Sequence, residues 1–117
     1  MKQLSDGLGA FSADLKQQKN ADRVLTMTFS EFGRRVVSNA SGGTDHGAAA
    51  PMFVMGTNIK QGLVSPHPSL TDLDQGDLKY VVDFRSVYAS ILQNWLNTPS
   101  KPILGDQYPL LPLVKSV

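Results

Sequence analysis

The chain has 117 residues, 41% hydrophobic and 18% charged, with 11 Lys plus Arg against 10 Asp plus Glu and no cysteine. That length permits one small domain or a segment of one, since compact domains run to roughly 100–150 residues. A net charge of +1 lacks the basic footprint expected for nucleic acid or an anionic membrane, and zero cysteine excludes disulfides, thiolate metal sites and a cysteine nucleophile within this chain. Residues 1–10 (MKQLSDGLGA) carry a single Lys and none of the roughly 7–15-residue apolar core of a signal peptide. The longest apolar stretches, such as Ala48 to Met55, fall far short of the roughly 20 residues that span a bilayer. The adjacent Arg34 and Arg35 sit mid-chain before Val-Val-Ser-Asn, the wrong setting for a twin-arginine export signal.

From Ser5 to Gln18 the apolar residues Leu8, Phe11 and Leu15 recur at helical spacing, with Leu4 just ahead, and predict an amphipathic helix. Gly7 and Gly9 weaken its first turn. After a polar link, Val24 to Phe29 (VLTMTF) is an apolar and Thr-containing run without clean alternation. Such a run suits a strand covered on both faces, as in a parallel α/β sheet. Ser30 to Ala50 then reads as a long Gly-, Ser- and Ala-rich loop following a strand end, the place where open α/β sheets hold their ligands. Pro51 opens a second buried run, Met52 to Met55, closed by Gly56. Residues 58–68 predict a turn and a short edge strand around Leu63 and Val64, and Thr71 to Asp77 an acidic turn. The clearest periodicity is Asp83 to Leu96, where Phe84, Val87, Tyr88, Ile91, Leu92, Trp95 and Leu96 form a helical stripe behind an Asp83 cap. The stripe, Trp95 included, is expected to be core, and the Pro-rich tail from Pro99 to lie extended over the surface.

Within the long loop lie Glu31 and the adjacent pair Asp45 and His46, the latter inside Gly-Gly-Thr-Asp-His-Gly. Carboxylate oxygens and a neutral imidazole nitrogen are ordinary ligands of a divalent cation, and flanking glycines let the backbone present them closely. Asp45 equally suits a role orienting His46 or capping a turn, Glu31 an ion pair with Arg34 or Arg35, and Arg34 either an anion contact or a surface ion pair. His67, between Pro66 and Pro68, reads as a loop residue. Asp72, Asp74 and Asp77 do not follow EF-hand spacing and read as a solvated turn. No nucleophile is evident: Ser30 and Thr44 have no base partner in the sequence pattern, and Ser41 sits in a Gly-rich stretch.

The order of segments adds to this. Thr-Phe-Ser-Glu-Phe-Gly-Arg, a loop ending in Asp-His-Gly, Pro-Met-Phe-Val-Met-Gly and a helix beginning Asp-Phe-Arg-Ser-Val-Tyr resemble the C-terminal third of the alkaline phosphatase and sulfatase superfamily. The closer resemblance is to a bacterial family of unknown function, numbered 1501, whose members look sulfatase-like. It is carried by Val24 to Arg35, Gly42 to Met55, His67 to Lys79 and Asp83 to Leu96.

The resemblance implies an α/β fold: part of a three-layer sandwich with few, mostly parallel strands and two amphipathic helices. It implies that residues 1–117 are one C-terminal segment of such a domain, partnered by a missing N-terminal half that bears the nucleophile. Glu31, Asp45 and His46 would then supply part of a shell for zinc, calcium or magnesium, and Arg34 an anion contact, for hydrolysis of a phosphate or sulfate ester. Phe32 stands where the superfamily has a His, and Glu31 replaces an Asp, departures that favour the alternative of a non-catalytic binding or structural module. Without cysteine no formylglycine nucleophile of the sulfatase kind can come from this chain, which alone is expected to be inactive. Exposed sheet edges predict self-association, and family members commonly carry export signals, which implies an exported or periplasmic bacterial protein.

Overall fold

A computed structural model of the chain describes residues 2–31, 33–42, 44–47, 49–66 and 69–115, with the backbone alone described at 34, 35, 37 and 44–46. Helix α1 (Lys2–Gln17) opens it with no buried residue. Its end is a Schellman closure: Asn20 N–H donates to Leu15 O, Lys19 N–H donates to Lys16 O, and Lys19 takes the left-handed conformation at φ 59°. A 3₁₀ turn (Ala21–Arg23) leads to β1 (Thr26–Met27), which pairs with β4 (Val54–Met55) through Thr26↔Met55 and Met27↔Val54. Thr28 extends that ladder by one residue, its N–H donating to Phe53 O and its Oγ1 accepting from Phe53 N–H, both at 2.9 Å.

Between them β2 (Gly33–Ser38) and β3 (Thr44–Gly47) form a hairpin, and β5 (Leu73–Asp74) and β6 (Asp77–Leu78) form another. Gln75 and Gly76, at φ 49° and 90°, make the second turn, two positive φ values that suit the right-handed twist of a tight hairpin. Strand β6 lies beside β2.

Helix α2 (Phe84–Asn94) starts as its sequence predicts: Asp83 Oδ1 accepts from the Arg85 N–H at 2.9 Å. The Arg85 guanidinium grips both Asp83 oxygens, at 3.0 and 2.7 Å, and lies 4.7 Å from the Tyr108 ring centroid, which ties the tail to the helix start. The one-turn helix α3 (Lys101–Leu104) follows, capped by Gly105 at φ 83°. The tail then returns across α2. Leu111 N–H donates to Ser90 Oγ, which donates to Ser86 O, both at 2.7 Å. Further on, Lys60 N–H donates to Leu113 O, Lys115 N–H donates to Asn58 O, and Ile59 bridges Val114. The buried apolar residues are Ile59, Val87, Ala89 and Leu113, alongside Ser86, Ser90 and Ser100.

Five expectations change. The mixed helix-and-strand content is found, but the three described sheets are two-stranded and antiparallel, where mostly parallel strands in a three-layer sandwich were predicted. A parallel pair needs a crossover, usually a helix, between its strands, and the chain between β1 and β4 instead folds back as β2–β3. The predicted long loop is therefore largely a hairpin. On α2 the fully buried face is Ser86, Val87, Ala89 and Ser90, while Phe84 and Leu96 stay exposed and Trp95 is half-buried at the helix end. Small residues let the tail backbone come close enough to bond Ser90. The tail runs mostly over the surface, as expected, but enters the core at Ser100 and Leu113. Leu63 and Val64 form no strand, and Leu63 is 93% exposed. Among the described residues no helix is long and apolar enough to cross a membrane.

Candidate functional site

The base of the β2–β3 hairpin collects the positions singled out by sequence. Gly33 is buried there, and a Cβ added to it would overlap the Ala49 carbonyl oxygen, so the strand can begin at this point only with a glycine. The register runs Gly33↔Gly47 and Arg34↔His46, then resumes at Ser38↔Thr44. Three residues of β2, 35–37, thus stand against Asp45 alone, an irregularity that bends and twists the ladder. The turn is held by Gly42 N–H donating to Asn39 O and by Asn39 Oδ1 accepting from Ser41 N–H, with Gly42 at φ 79°.

Glu31 is exposed at a bend two residues before Gly33. Paired strand positions have Cα atoms about 4.5–5.5 Å apart, so Arg34 and His46 are neighbours across the ladder, with Glu31 close in the chain to that pair. Successive strand positions belong to opposite faces. Position 46 therefore shares a face with 34, and position 45 belongs to the other. The chemistry of the donors suits a divalent cation. Alternation, however, separates Asp45 from His46, so one cation at this base could draw on part of the predicted set and would need further ligands from elsewhere.

The acidic segment lies beside this hairpin, its β6 neighbouring β2. Asp72 accepts from the Lys79 ammonium at 2.9 Å, a bond that also raises the Lys79 pKa. Among the described residues no three His, Asp or Glu side chains gather as a metal-binding group. The side chains of Asp45 and His46, and the whole of Phe32 and His67, lie outside those residues.

The residue that sequence reasoning passed over is Gly33, which sets the hairpin base on which Arg34 and His46 meet. The hairpin's own signal was present in part: Asn39 to Gly43 (NASGG), between Arg-Arg-Val-Val-Ser and Thr-Asp-His-Gly, is a short Gly-containing connection of the length that joins hairpin strands.

No curated protein and no solved structure matches this chain. The profile of the family described as "Protein of unknown function (DUF1501)" matches residues 1–104. The match covers most of the chain, as the segments quoted above led one to expect, and the protein belongs to the DUF1501 family.

Proposed function

We propose that this chain is a segment of a sulfatase- or phosphatase-like hydrolase domain, and that the base of β2–β3 contributes part of a divalent-cation site for a phosphate or sulfate ester. The observation that carries the proposal is the register pair Arg34↔His46, with Glu31 two residues ahead of the strand. His46 and the carboxylates of Glu31 and Asp45 are the donors this chain offers to zinc, calcium or magnesium, with Asp45 the one set apart by strand alternation. A bound cation would act as a Lewis acid toward the ester oxygens. Arg34 would bind the same anionic oxygens through its guanidinium fork. The nucleophile and the remaining ligands are contributed by another polypeptide segment, the partner that the family resemblance implies.

A second reading, a non-catalytic module of the same fold, draws support from that alternation. Titration with zinc, calcium and magnesium, followed by calorimetry and by the imidazole resonances of His46, separates the two. Under the metal-site reading at least one cation binds saturably, shifts those resonances, and binds at least about tenfold more weakly to His46→Ala, the scale of losing one ligand's interactions. Equal binding by wild type and variant, or none by either, leaves the non-catalytic reading.

A further inference from the structure

The structure exposes far more surface than its mass requires. Its accessible area is 8632 Å², whereas a folded monomer of 12.7 kDa exposes about 6,200 Å². Its radius of gyration is 16.5 Å, against about 13 Å for a compact chain of this length. The surplus of about 2,400 Å² is what one partner of a large obligate dimer gives up, a standard interface taking about 800 Å² per side.

Helix α1 contributes one continuous apolar stripe to that exposed surface. It packs against the 3₁₀ turn that follows it and leaves an open groove of about 310 Å³ beside Val24, Met55 and Ile59. Leu4 and Phe11 remain 43% and 44% exposed, and Leu8 and Leu15 half-buried. These four stand at intervals of four, three and four residues. That is the 3.5-residue spacing of a helix–helix seam, and it reads the same in both chain directions. A two-fold axis demands such self-complementarity: it sets Leu4 against Leu15 of a second copy, and Leu8 against its Phe11. The charges do not oppose this. The helix carries Lys2 and Lys16 against Asp6 and Asp14, with Lys2 bonded to Asp6 and Asp14 to Gln18 within one copy. Gly7 and Gly9 have open space where a Cβ would stand.

We infer that α1 is the centre of a homodimer interface, packed antiparallel against α1 of a second copy of this chain. Sedimentation equilibrium over a wide concentration range should give twice the chain mass. Leu8→Asp with Phe11→Asp should return it to the monomer mass, with circular dichroism reporting whether the fold persists. Because the chain has no cysteine, two single variants test the geometry without disrupting the seam: Leu8→Cys and Phe11→Cys, mixed and mildly oxidised, should form the mixed disulfide in preference to either symmetric one. A wild-type monomer at every concentration overturns the inference and leaves the face to a different polypeptide. So does a dimer whose symmetric Leu8→Cys disulfide forms as readily as the mixed one, which would place the helices parallel or the contact elsewhere.

Discussion

Helices α1 and α2 announce themselves in sequence by the same means, an apolar stripe at helical spacing, and meet opposite fates. Helix α1 buries none of its residues, whereas α2 buries four, and two of those are serines. The difference lies in what each helix offers beside its stripe. Helix α2 presents Ser86, Ala89 and Ser90, side chains short enough for the returning tail to approach and polar enough to satisfy its backbone. Ser100 reaches back to Gln93 at 2.6 Å and ties α3 to the same helix. Helix α1 offers glycines and alanines that no described segment covers: Gly7 and Gly9 face open space, and Ala10 and Ala13 are exposed. Amphipathicity specifies a helix; small, hydrogen-bonding side chains decide where neighbouring backbone can dock.

The contrast can be tested from its strongest side downward. Leu113→Ala removes the largest buried apolar side chain of the tail and should destabilise the fold by about 3 kcal/mol, read as a lowered denaturation midpoint. In the monomeric Leu8→Asp, Phe11→Asp background, an equivalent loss from Leu4→Ala would erase the distinction between the two regions. Gly33→Ala forces a methyl group against the Ala49 carbonyl and should cost about 2 kcal/mol by overpacking. Hydrogen exchange should show that damage concentrated in β2 and β3, with α2 protected. Ser90→Ala leaves the Leu111 N–H without its acceptor inside the α2–tail contact and should cost about 1–2 kcal/mol, whereas Ser12→Ala on α1 should change nothing measurable.

Asp83→Ala should cost about 1 kcal/mol through loss of the cap, visible as fraying of the first turn of α2. The Arg85 guanidinium, and the Arg85 N–H after it, hold the Asp83 carboxyl below the usual range. A carboxyl depressed in the folded state contributes stability above its unfolded pKa of about 3.9, and that contribution is lost as pH falls through the folded value. Asp83→Asn should therefore flatten the stability profile on the acid side and leave it unchanged in slope near neutrality. The smallest effect is expected for Lys2→Ala, whose partner Asp6 is 66% exposed. Breaking that pair should leave the midpoint where it was.

Legibility in the sequence follows the same division. The Asp83 cap, the extent of α2 and the helix at the N-terminal end are encoded by local periodicity, and each was found within a turn of its predicted limits. The β2–β3 hairpin was harder, because Arg34, Arg35, Asp45 and His46 carry no alternating apolar pattern, and its closure rests on the absence of a side chain at Gly33. The acidic turn around Gln75 and Gly76 was recognised as a turn, while its flanking two-residue strands were too short to signal themselves. Burial and strand direction both failed here: the non-alternating run Val24 to Phe29 predicts cover on both faces, yet Val24 to Thr28 are only half-buried and Phe29 is 75% exposed, and such a run says nothing about which strand lies alongside. The family was readable from the combination of segments. The placement of Glu31, Arg34, Asp45 and His46 at one hairpin base follows from register, which depends on residues far apart in the chain.

The bridge between Ile59 and Val114 also bears on how the fold is reached. It joins positions more than fifty residues apart, whereas the Ser90–Leu111 contact spans 21. Closing the longer loop costs more chain entropy before any contact rewards it. Helix α2 and its tail are thus suited to assemble first as a local unit, and the segment around Ile59 to be captured last, as the latch that joins the N-terminal strands to a core already formed.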